Sequence, residues 1–183
     1  MGYIRRNTTL RTIRLTRDLD NLLQKDAKSK RISTNSLLTS IITKYAEWDR
    51  YVEKFGLISL TRADSRSILE AIDDNKLSQI GTDLGKRAFK EFLMIWFKKR
   101  DVEKVLEGIS LWCKYAGIAE YDLGTDGRNY TITLHHEIGE KWSNLIGHLI
   151  SQGIKTELGL PNAMLDFTNN LIIINSLYRN TVK

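Results

Sequence analysis

The chain has 183 residues, with 28 lysines and arginines against 22 aspartates and glutamates, so its net charge near pH 7 is +6. A hydrophobic fraction of 42% is ordinary for a globular protein and excludes a disordered tail. The single cysteine excludes an intramolecular disulfide and any cysteine-rich metal site, and no apolar run approaches the length of a membrane-spanning helix. We therefore expect a soluble, cytoplasmic protein with no membrane partner.

The positive charge is concentrated at one end of the chain. Residues 1–31 contain nine basic and three acidic side chains, whereas residues 32–56 carry three of each sign and the remaining residues carry sixteen of each. The entire surplus therefore belongs to the N-terminal segment. This asymmetry points to an anionic partner for that end of the chain.

Residues 10–16 have the alternating pattern of a short β-strand. Ile13 and Leu15 would lie on one, buried face, and Thr12 and Arg14 on the other. A lone strand cannot satisfy its own backbone groups, so a partner strand is required. The simplest source is a second copy of the chain, paired antiparallel across a two-fold axis.

Two amphipathic helices are predicted after the strand. The first begins at Asp18 and ends in a basic stretch. Ser33 or Thr34 supplies the N-cap of the second helix, whose apolar spacing continues to about Phe55. The order of the N-terminal elements is therefore strand, helix, helix.

In this stretch the sequence resembles the ribbon-helix-helix DNA-binding proteins of the Arc, MetJ and CopG type. The matching segments are Arg11–Asp20, Leu22–Leu23 and Arg31–Ile42. The family often has a glycine in the interhelix turn, where residues 30–32 are Lys-Arg-Ile here. The resemblance implies a domain of residues 1–56 that forms an obligate homodimer and inserts a two-stranded ribbon into the major groove of double-stranded DNA.

Residues 57–183 have the pattern of a second, α+β domain with an antiparallel sheet of four or five strands. The predicted helices cover about residues 63–72, 76–99, 101–116 and 137–157. The predicted strands cover residues 57–61, 118–123, 130–135, 163–167 and 171–175, and an Asp-Gly turn signal separates the second from the third. A break near Gly81 or Gly85 is possible in the longest helix.

The function of the second domain is left open by the sequence. Leu84–Phe89 and Tyr130–Leu134 are similar to segments of small-molecule-sensing domains of the vinyl-reductase-like type. Such a domain could sense a small-molecule ligand, drive higher oligomerisation or bind a protein. Its aromatic residues recur at helical spacing, which is more typical of a core than of a ligand cage.

The outward face of the predicted strand is the candidate reading surface for DNA. Arg14 can donate two hydrogen bonds to the O6 and N7 atoms of guanine, and Thr12 can contact a base edge or a thymine methyl group. The family resemblance implies base-contacting roles for Thr12 and Arg14, and it places Leu10 at the third such position. Leu10 is apolar and could contact only a thymine methyl group. Without the localised charge, the same pattern would be interpreted as a solvated strand face.

Phosphate contacts are expected from the N-terminus of the second helix and from basic side chains. A helix N-terminus offers unpaired N–H groups and a partial positive charge. A simple N-cap is the alternative role at that position, and the two roles are compatible. The candidate phosphate-binding residues are Arg5, Arg6, Arg31, Ser33, Thr34 and Asn35.

The histidines are the only feature that suggests catalysis or metal binding. His135 and His136 end a predicted strand and point to opposite faces, and His148 lies on the following helix. Without a third ligand, a packed or surface role is favoured over a metal or haem site. Cys113 is interpreted as a small buried hydrophobe. No catalytic motif stands out, so we predict neither an enzyme nor a cofactor.

Together these features predict a homodimeric ribbon-helix-helix transcriptional regulator with a C-terminal ligand-sensing or assembly domain, which could support a higher oligomer. One alternative is an antitoxin that regulates its own operon while its C-terminal domain binds a protein partner. Antitoxin tails are commonly short and disordered, whereas residues 57–183 have the pattern of an independently folded domain. The other alternative is a metal-binding or haem-binding protein that uses the C-terminal histidines.

Overall fold

The structure, a computed structural model, describes residues 9–127 and 129–177. Its fold is mixed α/β with an antiparallel sheet, which confirms the predicted fold class at this level. Among the described residues, no helix combines the length and the apolar character needed to cross a membrane.

The chain divides into two compact units, residues 1–45 and 46–183. The boundary lies within the segment predicted as the second helix, not at the end of that segment. The reason is that Trp48 and Phe55, late in this segment, pack with Trp96 of the second unit.

The described part of the first unit contains the two predicted helices, α1 (Arg17–Ser29) and α2 (Thr34–Lys44). The side chain of Thr16 caps α1. Ser33 caps α2, because its Oγ accepts a hydrogen bond of 3.0 Å from the N–H of Ser36. The two helices share a small buried core formed by Leu23, Ala27 and Leu37.

The turn between α1 and α2 has the left-handed backbone for which a glycine is usually required. Arg31 has a φ of 55°. Its N–H donates to the carbonyl of Lys28 at 3.1 Å, and the N–H of Ile32 donates to the carbonyl of Ala27 at 3.0 Å. This pair of hydrogen bonds is a Schellman motif, which often ends a helix. Arg31 therefore occupies a position that favours glycine, at a backbone cost of about 1–2 kcal/mol.

The strand predicted for residues 10–16 is not formed in the single chain. Residues 9–16 belong to no helix or strand, and the first strand of the described part begins at Glu120. A strand exists only through hydrogen bonds to a neighbouring strand, and the described part of the chain offers none to this segment.

After α2 the chain forms a π-helical turn, Tyr45–Asp49, and a short helix α3, Arg50–Phe55. Gly56 ends α3 with a left-handed φ of 74°. The strand predicted for residues 57–61 is also absent, because no strand of the described sheet pairs with this segment.

The remaining elements form one α+β arrangement in the second unit. Its helices are α4 (Arg62–Glu70), α5 (Asp74–Trp96), α6 (Val102–Ala116) and α7 (Glu140–Leu158). Its strands are β1 (Glu120–Thr125), β2 (Asn129–His135), β3 (Met164–Phe167) and β4 (Leu171–Leu177). They form an antiparallel sheet in the order β1-β2-β4-β3.

The core of the second unit lies on the face of the sheet that is covered by α7. Ile132 and Leu134 of β2 pair with Ile174 and Ile172 of β4, and all four side chains are fully buried. The opposing side chains of α7 include Ile146, Ile150 and Ile154, all buried in the same cluster.

Helix α5 is continuous, so the predicted break at Gly81 or Gly85 does not occur. Both glycines instead allow α7 to approach closely. A Cβ atom at Gly81 would lie 2.5 Å from the carbonyl oxygen of Leu145, and one at Gly85 would overlap the carbonyl oxygen of Leu149. The glycines are therefore explained by helix packing and not by a helix end.

Candidate functional site

Residues 9–15, immediately before α1, belong to no helix or strand and do not pair with the rest of the described structure. None of them makes a backbone hydrogen bond to another described residue. Leu10 is 91% exposed and Ile13 is 54% exposed, and the neighbouring side chains of Thr12 and Arg14 are exposed as well. The segment therefore presents backbone donors and acceptors, apolar groups and a basic group to solvent at the same time.

A groove of about 700 Å³ lies between this segment and helices α1 and α2. Leu10, Thr12 and Ile13 line one side, and Thr34 and Leu38 of α2 line the other. The wall of the groove thus combines apolar side chains with hydroxyl groups.

The helices of the first unit also expose apolar side chains. Leu22 of α1 is 55% exposed and Ile42 of α2 is 60% exposed, and the other exposed members are Leu19, Ile32 and Ile41. Exposure of this many large apolar side chains on so small a unit favours a protein–protein contact.

The N-terminus of α2 retains hydrogen-bond donors. Ser33 Oγ is engaged by the N–H of Ser36 and lies 2.8 Å from the Ser36 hydroxyl. Within the described chain, the N–H groups of Thr34 and Asn35 have no acceptor. They are available to an external acceptor such as a phosphate oxygen.

The structure brings together only some of the residues predicted to contact DNA. Four of them line the groove: Leu10, Thr12, Thr34 and Asn35. Three others are exposed but lie outside the lining of the groove: Arg14, Arg31 and Ser33. Arg5 and Arg6 lie outside the described residues.

The histidines of the second unit do not form a metal site. No group of three or more His, Cys, Asp or Glu side chains in the described chain is arranged to hold a metal ion. His148 Nδ1 donates to the carbonyl of Asn144 at 2.9 Å, and its ring meets the ring of Phe167 edge-on. His135 is exposed at the end of β2.

His136 is buried and joins the end of β2 to the start of α7. Its Nδ1 accepts a hydrogen bond of 3.3 Å from the N–H of Ile138, so the ring proton is on Nε2, which donates to Ser143 Oγ at 2.8 Å. Burial lowers the pKa of His136 to about 4, and the neighbouring charge of His135 contributes in the same direction. His136 is therefore neutral at pH 7, and both of its ring nitrogens are engaged in hydrogen bonds within the fold.

Cys113 is buried on α6. Burial raises the pKa of its thiol to about 12. Because only the thiolate is a good nucleophile or metal ligand, Cys113 is unreactive at neutral pH.

An aromatic cluster joins the π-helical turn to α5 in the second unit. The rings of Trp48 and Trp96 lie 5.2 Å apart between centroids, and Phe92 stacks on Trp96 at 4.3 Å. Beside this cluster lies an apolar cavity of about 70 Å³, whose wall includes Trp48, Phe92 and Trp112.

The sequence pattern did not reveal this cavity. It indicated a core role for the aromatic residues of α5 and α6, but it placed Trp48 and Phe55 in the N-terminal domain. A signal was available, since Tyr45, Trp48, Tyr51 and Phe55 follow one another at three- and four-residue spacing. This aromatic stripe needed a partner surface, and the aromatic face of α5 provides it for Trp48 and Phe55.

Comparison of the chain with family models, with curated proteins and with solved structures finds no match.

Proposed function

We propose that the protein is a sequence-specific DNA-binding transcriptional regulator that acts as a homodimer of the ribbon-helix-helix type. In this proposal, residues 10–16 of two copies pair as an antiparallel ribbon, and the second unit senses a ligand or supports further assembly. The single observation that carries the proposal is that residues 9–15 form no helix or strand in the single chain and are largely exposed. They combine backbone groups that pair with no other described residue with exposed apolar and basic side chains.

The need for a second copy follows from the apolar surface of the first unit. Its buried core consists of only Leu23, Ala27 and Leu37 among the described residues, whereas Ile13, Leu22 and several others remain exposed. Pairing of two copies would satisfy the backbone of the segment and remove these side chains from water.

The choice of DNA as the partner rests on the charge distribution. The whole surplus of +6 lies in residues 1–31, and a dimer would double it across two adjacent segments. A two-stranded ribbon fits the major groove, where Thr12 and Arg14 could read base edges. The free N–H groups of Thr34 and Asn35 and the side chain of Arg31 would contact phosphates and fix the orientation.

The DNA proposal is tested with Arg14→Ala and with Arg11→Ala as its matched control. Both variants lose one exposed arginine from the same segment, but Arg11 lies on the opposite alternation of the predicted strand. A fragment selected by the wild-type protein from a random DNA library is compared with a scrambled fragment of equal length, over a range of salt concentrations.

We expect Arg14→Ala to reduce discrimination between the two fragments by about tenfold to a hundredfold. Arg11→Ala should leave that discrimination intact, because Arg11 shares the alternation of Ile13 and Leu15 and so lies away from the base edges in the proposed ribbon. Wild-type protein that binds no DNA at low salt, or Arg14→Ala protein that discriminates as the wild type does, would contradict the proposal.

The dimer is tested separately with Ile13→Asp, using Thr12→Asp as the control. Ile13 is exposed in the single chain, so a carboxylate there does not disturb the fold of a monomer. In the proposed dimer it would be buried without a partner and would prevent association. Sedimentation equilibrium should show a monomer for Ile13→Asp and a dimer for Thr12→Asp. Dimers of equal stability for both variants would exclude the proposed pairing.

A further inference from the structure

We propose that the cavity of about 70 Å³ in the second unit is a binding site for a small, uncharged, apolar molecule. The inference deepens the sensing role proposed for the second unit, but it does not require the first unit to bind DNA. All the side chains that line the cavity belong to residues 48–149.

The wall of the cavity determines the chemistry of its occupant. Every lining residue is apolar or aromatic, and no charged side chain faces the space. A charged or strongly hydrogen-bonding molecule would lose its hydration there without gaining partners. Aromatic rings from Trp48, Phe92 and Trp112 offer dispersion contacts to an apolar molecule on several sides.

The volume of the cavity limits the size of the occupant. It exceeds the roughly 10–15 Å³ that one water molecule requires, but a water molecule also requires two to four polar partners, which this wall does not offer. It is smaller than the engineered apolar cavity of roughly 150 Å³ that remains dry and binds benzene or xenon. The cavity is not fully enclosed, so a single aromatic ring is the upper limit for the occupant, because it would fill the space and extend into the opening.

Ala88 of α5 lines the cavity at the place where the aromatic cluster meets the main core. Gly108 of α6 also lines it, but a Cβ atom there would lie 2.8 Å from the ring of Phe92, so this position leaves no room for a side chain. Unfilled apolar volume destabilises a protein, and a longer side chain at residue 88 would remove it. An occupant supplies the missing contacts. The lining residues Phe55, at the end of α3, and Leu57, just after it, are half-buried.

Binding can be followed by intrinsic tryptophan fluorescence, because Trp48 and Trp112 line the cavity. The full-length protein is titrated with benzene and, separately, with benzoate, which adds a carboxylate to the same ring. Tryptophan emission and the thermal unfolding midpoint are recorded at each concentration. We expect benzene to change the emission saturably and to raise the midpoint by a few degrees, and benzoate to do neither.

A variant with the cavity filled, Ala88→Met, is compared with Ala63→Met, in which the same substitution is made at an exposed position of α4. Ala88→Met should lose the response to benzene, and Ala63→Met should keep it. The proposal is overturned by the absence of a saturable response in the wild type, by an equal response to benzoate, or by a wild-type response in Ala88→Met. If Ala88→Met does not fold, the comparison of benzene with benzoate on the wild type decides alone.

Discussion

The hydroxyl of Tyr115 donates a hydrogen bond of 2.6 Å to the Glu47 carboxylate, and this contact joins α6 to the π-helical turn. Lys114 Nζ lies 3.2 Å from the same carboxylate oxygen. The backbone carbonyl of Glu47 accepts a second connection, a 3.0 Å hydrogen bond from the indole of Trp96. Glu47 therefore links the π-helical turn, which contains Trp48, to both α5 and α6.

Removal of the Tyr115 hydroxyl should destabilise the second unit. Tyr115→Phe deletes one hydrogen bond to a charged group and should lower the free energy of unfolding by about 1 kcal/mol, measured by urea denaturation. Tyr121→Phe provides the contrast, because the Tyr121 hydroxyl is buried with no partner in the described chain. Its removal should stabilise the protein by a similar amount. The same sign for both variants would contradict this interpretation.

The Tyr115→Phe variant should also change the acid dependence of stability. The hydrogen bond from Tyr115 is the main reason that the pKa of Glu47 lies below its ordinary value of 4.5, and Lys114 adds to the effect. The unfolded chain binds this proton more readily, so the stabilisation is present above pH 4.5 and is lost as the pH falls below it. In Tyr115→Phe the loss of stability below pH 4.5 should be smaller than in the wild type.

His136 should make unfolding depend on pH between about 6.5 and 4. Its pKa is 6.5 in its ordinary state and about 4 in the fold, because burial disfavours the charged ring. Between these values the unfolded chain binds the extra proton, so the free energy of unfolding falls as the pH is lowered, by up to about 3 kcal/mol. His136→Gln cannot titrate and should show a flatter profile over this range.

His135→Gln is the matched control, because His135 is exposed on the adjacent position. Denaturant unfolding at a series of pH values should give nearly the wild-type profile for this variant. A wild-type slope in His136→Gln would show that other groups cause the acid sensitivity.

Replacement of Arg31 by glycine should separate stability from DNA binding. Arg31→Gly relieves a left-handed backbone and should raise the free energy of unfolding by about 0.5–1 kcal/mol. If Arg31 contacts phosphate, the same variant should bind DNA more weakly at every salt concentration and with a smaller salt slope.

Lys98→Gly is the control for Arg31→Gly, since Lys98 has the same φ of 55° after α5. It should gain stability without any change in DNA affinity. Wild-type DNA binding by Arg31→Gly would mean that the arginine contacts no phosphate.

Introduction of a methyl group at Gly85 should separate α5 from α7. The added Cβ would overlap the carbonyl of Leu149, which is backbone and cannot rotate away. We expect Gly85→Ala to destabilise the second unit by about 1–3 kcal/mol, although alanine favours helices. Gly124→Ala is the control, because its added Cβ meets no atom closer than 3.8 Å. Thermal unfolding that is unchanged in Gly85→Ala would contradict the packing described.

Several elements could be predicted from local sequence signals. Helix α2 begins after the Ser33 cap, α6 begins after the Asp101 cap, and the Asp-Gly hairpin joins β1 to β2. A cap, a turn and an apolar stripe each depend on residues within a few positions of one another. The basic surplus of residues 1–31 and its implication of an anionic partner likewise come from the sequence alone.

Other features depend on contacts between residues far apart in the chain, and only the tertiary structure decided them. The boundary between the units precedes Trp48 because its ring packs on Trp96. Gly85 lies inside the continuous helix α5, at a point where a side chain would collide with the backbone of α7. The cavity exists where the π-helical turn, α3, α5, α6 and α7 together leave a volume unfilled. Residues 10–16 show the same limit, because their alternation is local but a strand requires a neighbour, and none is present in the described part of the chain.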